Sequence, residues 1–336
     1  MSWISNRRQL SLAIILNFTF TFTFTLSFNI LTSQKFRLST AISTKQRKNK
    51  LFINNREPFL QTSCKKERDA QNRLFLSEQD EIDYSYQEYE TIPIFGPLRR
   101  PVKIRPESHP NLGMWVFEQP HQIPLYTTML RMGVFQLKTV EKPTTVIFNP
   151  MVPTPECLDK VVEIAGVPSD IIVPTNSYEH TNWLEGWTER FPDATFWKIP
   201  GVQVGAKIER DLTDESLPAE WDSEFAIAVL EGSQFFTEAY SVHKPTKTLF
   251  AVDSFNKLTQ EHMDTSLSPL PLKLMGTFAE PSCSTKFLLW NKERCKACVS
   301  RVLQWEFEKI IPTHGECPIY SGNPVFQKAF SFLFES

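Results

Sequence analysis

A chain of 336 residues with 41% hydrophobic content is long enough for one large core or two modest ones. Its 36 Lys and Arg against 38 Asp and Glu leave a net charge of −2, which argues against an overall nucleic-acid surface. The six cysteines (64, 157, 283, 295, 298 and 317) are too sparse for a disulfide scaffold, so a reducing compartment suits them at least as well as an oxidising one.

The N-terminus reads as a targeting segment. Residues 10–32 are largely apolar, include Phe18-Thr-Phe-Thr-Phe-Thr-Phe-Thr, and follow Arg7-Arg8. Ser, Thr, Lys and Arg then dominate as far as Lys50, and no acidic residue precedes Glu57. A basic start, an apolar run and an acid-free hydroxylated tail make residues 1–50 a presequence, outside the fold. The run also has the length of a membrane span, which keeps a permanent anchor open. The pattern resembles the bipartite presequences of algal complex plastids, with Phe28 suited to a cleavage point. Plastid import is the expectation, with secretion the alternative. Residues 51–95 are polar, basic as far as Arg73 and then acidic and Tyr-rich, as in a solvated linker.

From residue 96 onward the chain reads as one folded domain. Strands are predicted at Met114-Trp-Val-Phe-Glu, Met132-Gly-Val-Phe-Gln-Leu and Thr144-Thr-Val-Ile-Phe-Asn, separated by Pro-rich turns. A helix then starts with Thr154 as cap, Pro155 at its first position and Glu156 in its first turn. Leu158, Val161, Val162 and Ala165 form its apolar face, and Gly166 stops it. Strand Ile171-Ile-Val leads into a polar loop, Thr175–His180, followed by a helix over about 182–191 and a strand at Thr195-Phe-Trp-Lys-Ile. Residues 200–222 read as a connection. Phe225-Ala-Ile-Ala-Val-Leu, Ala239-Tyr-Ser-Val-His and Thr248-Leu-Phe-Ala-Val read as three strands, the last two a hairpin about Lys244-Pro-Thr-Lys247. After residues 256–271, a helix over about 291–308 leads to Ile310-Ile-Pro, and a helix over 325–334 ends the chain. Strands and helices in both halves predict a helix-covered sheet sandwich, an α/β (α+β) fold.

Four side chains stand out as a candidate site. Glu179 and His180 follow the strand at 170–173, Asp253 ends Thr248-Leu-Phe-Ala-Val-Asp, and His314 ends Lys309-Ile-Ile-Pro-Thr-His. Two imidazoles and two carboxylates, each just beyond a strand, suit one divalent transition metal: zinc, iron or manganese. Taken singly, each also fits an ordinary loop or helix-cap residue. Cys295-Lys-Ala-Cys298 has metal or redox spacing, but on a helix it shares a stripe with Val299 and Val302, which favours core packing. His243 is expected at an exposed strand end, and His109, His121 and His262 are taken as structural. Trp183, Trp187, Trp197 and Trp221 suit core or pocket walls, with a Trp-lined rim beside Glu179 and His180 as a place for an apolar or aromatic ligand. No Gly-rich phosphate loop or Gly-x-Ser-x-Gly elbow is present, and no basic–aromatic cluster of the kind nucleic-acid surfaces carry.

Over residues 112–334 the chain resembles the metallo-β-lactamase superfamily and, more closely, the DUF4336 family assigned to that fold. The residues that carry this are Pro153-Thr-Pro-Glu-Cys-Leu, Pro174-Thr-Asn-Ser-Tyr-Glu-His, Arg190-Phe-Pro-Asp-Ala, Leu249-Phe-Ala-Val-Asp and Phe307-Glu-Lys-Ile-Ile-Pro-Thr-His. The resemblance implies an αββα sandwich with a metal site at one edge. It also implies His-x-His-x-Asp-His after a strand. Here Thr175 and Ser177 stand where the first two His belong, and no His lies near Ser233 and Gln234, where the third belongs. One metal position is thus dismantled, and the other maps onto Glu179, His180, Asp253 and His314. Two-metal hydrolysis is not expected. A mononuclear hydrolase or redox enzyme acting on a small molecule is, with Tyr178, Thr175 or Asn176 orienting water or substrate. A non-catalytic, metal-free module reusing the fold is the alternative.

Overall fold

The structure, a computed structural model, describes residues 102–335 apart from 124–125, 139–142, 234, 263–272 and 274–275. The expected presequence and linker, Cys64 and Gln234 lie outside the described residues. Among those described, no helix is long and apolar enough to cross a membrane.

Two sheets face one another. The first runs β1 (Lys103–Ile104), β2 (Met114–Ile123), β3 (Tyr126–Leu137), β4 (Thr144–Phe148), β5 (Asp170–Val173), β6 (Thr195–Lys198) and β7 (Ile208–Asp211), in that spatial order. The second contains β8 (Phe225–Ser233), β9 (Phe236–His243), β10 (Thr248–Ala251), β13 (Lys309–Pro312) and β14 (Ile319–Tyr320), ordered β14-β13-β10-β9-β8. A two-stranded ribbon of β11 (Phe255–Asn256) and β12 (Ser282–Cys283) completes the strands. The helices are α1 (Pro155–Ala165), α2 (Tyr178–Thr181), α3 (Leu184–Arg190), α4 (Lys292–Val302) and α5 (Gly322–Ala329).

The period-2 alternation of the second sheet explains the layering. Phe225, Ile227, Ala239 and Phe250 join the first sheet, α1 and α3 in one core. Ala228, Leu230, Leu249 and Ala251 join Cys295, Cys298, Val299 and Val302 of α4 and Phe326 of α5 in the other. Phe135 of β3 meets Phe225 and Phe250 at ring-centroid distances of 5.0 and 5.1 Å, which stitches the sheets together. Helices outside both sheets give the αββα sandwich.

Local signals act as expected at several points. Thr154 accepts a hydrogen bond from the Cys157 amide at 3.2 Å, and Gly166 ends α1 with φ +83°, which favours glycine. The β9–β10 hairpin forms with Thr248 opposite His243, and Lys247 is left-handed at φ +48°. Cys295 and Cys298 are buried with Val299 and Val302, as a core stripe.

Elsewhere tertiary pairing moved the predicted elements. β2 and β3 pair from Met114↔Phe135 to Ile123↔Tyr126, so the strand runs through Pro120. There β1 no longer flanks β2, and an edge position tolerates a proline that cannot donate. Residues 200–222 contain β7, a wholly exposed edge strand parallel to β6 and therefore without the apolar alternation of a strand. The helix expected over about 182–191 forms at Leu184–Arg190, and the loop expected before it holds a further helical turn, α2, on which Glu179 and His180 stand. The helix expected to 308 stops at Val302, and the C-terminal helix begins at Gly322 and ends at Ala329 before a 3-10 turn. His243 is fully buried, contrary to expectation, because β9 is an inner strand between β8 and β10.

Candidate metal centre

β10 and β13 are adjacent and parallel, with Thr248 opposite Lys309 and Ala251 opposite Pro312. Asp253 and His314 therefore leave the second sheet from the same end. From the facing sheet, β5 delivers the chain through Pro174, whose carbonyl accepts the Ala239 amide at 2.6 Å, to α2 with Glu179 and His180. One ligand atom from each of the four residues lies within 4.8 Å of all the others. Asp253 Oδ1 is 3.0 Å from His180 Nε2 and 3.3 Å from His314 Nε2, while Glu179 Oε1 is 3.7 and 3.6 Å from the same nitrogens.

These spacings are compatible with coordination. Tetrahedral ligands at 2.0–2.2 Å from a metal stand about 3.4 Å apart. Asp253 Oδ2 is buried with no hydrogen-bond partner, an acceptor that a cation would satisfy. The donor set of two nitrogens and two oxygens fits the metals named above.

The surroundings hold each residue in place. His314 Nδ1 donates to the Met129 carbonyl at 2.9 Å, which turns Nε2 towards the carboxylates. Burial disfavours its charged form, but hydrogen bonds to Asp253 and Glu179 outweigh that and push its pKa up to about 10. Asp253 is held well below the usual carboxylate range: burial opposes this, and the two imidazoles overcome it. Arg131 on β3 donates to Pro312 O at 2.9 Å and Gly315 O at 2.8 Å, on either side of His314. Its guanidinium is paired with Glu118 at 2.6 Å, which also takes Arg105 at 3.2 Å. Trp183 Nε1 donates to Glu179 O at 2.8 Å and ties α2 to the start of α3.

Two residues that organise this region, Arg131 and Glu238, escaped the sequence reading. Glu238 is fully buried, and burial together with the Asp253 charge pushes its pKa up to about 7. A signal was available, since Phe236, Glu238, Tyr240 and Val242 share one face of β9 and the other three are core. An acid in an apolar series of that kind needs dedicated donors.

At the other metal position expected from the resemblance, Thr175 Oγ donates to Ser177 Oγ at 3.2 Å and accepts the Ser177 amide at 3.1 Å. Thr175 is fully buried, and Asn176 Oδ1 accepts the Thr237 amide at 3.0 Å, so both brace the local backbone. Tyr178 lines a cleft of about 650 Å³ with Asn176, Thr181, Asn182, Glu185 and Gln203. Trp187, Trp197 and Trp221 are core residues, and Trp183 packs partly buried against that core.

The sandwich and the placement of the acid–imidazole cluster at its strand ends define a metallo-β-lactamase-like fold. Residues 112–281 match the family described as Domain of unknown function (DUF4336), and the chain belongs to that family. A comparison with curated proteins returns no match. Among solved structures, the metal-soaked Flv1 flavodiiron core from Synechocystis sp. PCC6803 is similar at 10% identity and a TM-score of 0.47, covering 70% of this chain and 61% of that one. The chain thus spans less than two thirds of that protein. A metallo-beta-lactamase from Pontibacter korlensis is similar at 11% identity and TM-score 0.48, over 70% of this chain and 100% of that one. The metallo-beta-lactamase FIM-1 from Pseudomonas aeruginosa, in its mono-zinc form, gives 10%, 0.47, 71% and 97% for the same measures.

Proposed function

We propose that Glu179, His180, Asp253 and His314 bind a single divalent transition metal, and that the chain is a mononuclear metal-dependent hydrolase or redox enzyme acting on a small molecule. The observation that carries this is the convergence of four ligand-type atoms within 4.8 Å from three separate strand ends, with Asp253 Oδ2 buried and unpartnered. Such a metal would supply Lewis acidity at a bound oxygen or, for iron or manganese, a redox couple. Glu179 is the solvent-facing member, its side chain 29% exposed, so substrate would approach across it. Plastid import, read from residues 1–50, is part of the same proposal.

A second reading is a metal-free binding module. Its support is Asp253 Oδ1, which lies within 3.3 Å of both imidazoles and can compensate their charge without an ion. Metal analysis of the purified full-length chain separates the two. A stoichiometric transition metal that disappears in a His180→Ala/His314→Ala variant supports the first reading. A metal-free chain, equally stable in that variant, sinks it. A fluorescent fusion of residues 1–60 tests the address, and retention in the cytosol contradicts it.

A further inference from the structure

Among the described residues, no cation is paired with Glu238. It lies at 0% exposure on an inner strand, and its carboxylate is satisfied by the turn after β10. Oε2 accepts the amides of Asp253 at 2.8 Å and Ser254 at 2.9 Å, and Oε1 accepts the Val252 amide at 3.4 Å and Ser254 Oγ at 2.5 Å. Tyr240 OH stands 2.5 Å from Ser254 Oγ and extends the chain of hydroxyls behind the carboxylate. Three consecutive amides aimed at one carboxylate form an anion nest that fixes the backbone of the turn.

The opposite side of Asp253 is held as well. Its carbonyl accepts Ser284 Oγ at 2.5 Å and Asn256 Nδ2 at 3.3 Å. The peptide on each side of Asp253 is therefore clamped, and its side chain leaves the turn in one direction, towards His180 and His314. Three amides collected on one buried charge exceed what a β-turn needs to form, since most turns form with no such acid. Burying a carboxylate without a cation is costly, and a position that only needed filling would hold an apolar residue.

We propose that Glu238 is a positioning residue for the metal centre: it orients Asp253 through the Asp253 and Ser254 amides that its carboxyl group accepts. This rests on the mononuclear metal reading. Outer partners of ligands commonly change metal affinity by about 10–100-fold.

The test titrates Co(II) into the full-length chain, following affinity and the visible ligand-field spectrum, in wild type, Glu238→Gln and Glu238→Asp. Glu238→Gln is expected to lose about tenfold or more in affinity with an altered spectrum, and Glu238→Asp to recover part of both. Should Glu238→Gln not fold, Glu238→Asp alone decides, and the expectation is a smaller loss with a shifted spectrum. A folded variant with wild-type affinity and spectrum overturns the proposal. Absence of Co(II) binding in wild type rejects the metal reading instead. The positioning is then read from amide exchange in the metal-free chain. Exchange at Asp253 and Ser254 should quicken about tenfold in Glu238→Asp, with β8–β9 amides unchanged, as expected for weakened bonds to a charged acceptor. Unchanged exchange at both residues overturns it.

Discussion

Asp253 Oδ1 lies 3.0 Å from His180 Nε2, and this contact joins the end of β10 in one sheet to the helix that follows β5 in the other. The cluster is therefore a product of sandwich closure. Asp253→Asn keeps the shape and removes the charge that the two imidazoles face. Zinc affinity is expected to fall by about 100-fold or more, since a ligand matters at least as much as its outer partners. Competition with a chelating dye measures this, with circular dichroism as the check on folding.

Gly315 follows His314 with φ +74°, and a Cβ there would lie 2.3 Å from Lys257 O. The contact is backbone, so it cannot be relieved by a side-chain rotation. Gly315→Ala is expected to cost about 2 kcal/mol in urea unfolding and to weaken metal binding, because the loop must shift.

Arg131 is buried, spans Pro312 O and Gly315 O, and is paired with Glu118. Arg131→Met leaves Glu118 with the more exposed Arg105 and removes a buried donor from the Pro312 and Gly315 carbonyls. A loss of about 3–5 kcal/mol is expected, against about 1 kcal/mol for Arg105→Met. Equal losses in denaturant titration would contradict this division of roles.

Burial pushes the Cys157 thiol up to about 12 and Cys295 to about 11, and raises Cys283 and Cys298 as well. A thiol held protonated inside a core is a poor nucleophile. In the native chain these four should resist a disulfide reagent such as dithionitrobenzoate and react only after unfolding. Fast native labelling of Cys295 or Cys298, located by mass spectrometry, would restore a redox role for that pair.

His243 is stacked on Phe135 at 5.4 Å, and its Nδ1 meets Thr246 Oγ at 2.9 Å. Burial lowers its pKa to about 4, helped by His109 and Lys138 and opposed by Glu224. The unfolded value is about 6.5, so as pH falls from 6.5 to 4 the unfolded chain binds a proton that the folded chain refuses. Stability attributable to His243 is full above 6.5 and is lost across that window, by on the order of 3 kcal/mol. His243→Gln should flatten the acid side of a stability–pH curve by that amount, with the gap between the two curves changing from pH 6.5 to 4 and constant below pH 4.

Much of this was legible in the chain itself. Thr154, Pro155 and Gly166 bracket α1 through capping chemistry that acts within a few residues, and Lys244-Pro-Thr-Lys marks the β9–β10 turn for the same reason. The four ligand-type residues were visible because each follows an apolar strand-like run. Glu238 and Arg131 were not singled out, since an isolated acid or base in a strand has no meaning until its partners, Asp253 and the His314 loop, are placed beside it.

The sequence by itself determined a helix-covered sheet sandwich, through the strand and helix patterns of both halves, with the αββα order implied by the family resemblance, and it picked out which residues could bind a metal. Only the tertiary structure decided that they meet. Parallel pairing of β10 with β13 sends Asp253 and His314 out of the same end, and packing of the two sheets brings His180 to them. Those relationships depend on long-range register and closure, which the chain encodes only through the packing of the whole sandwich.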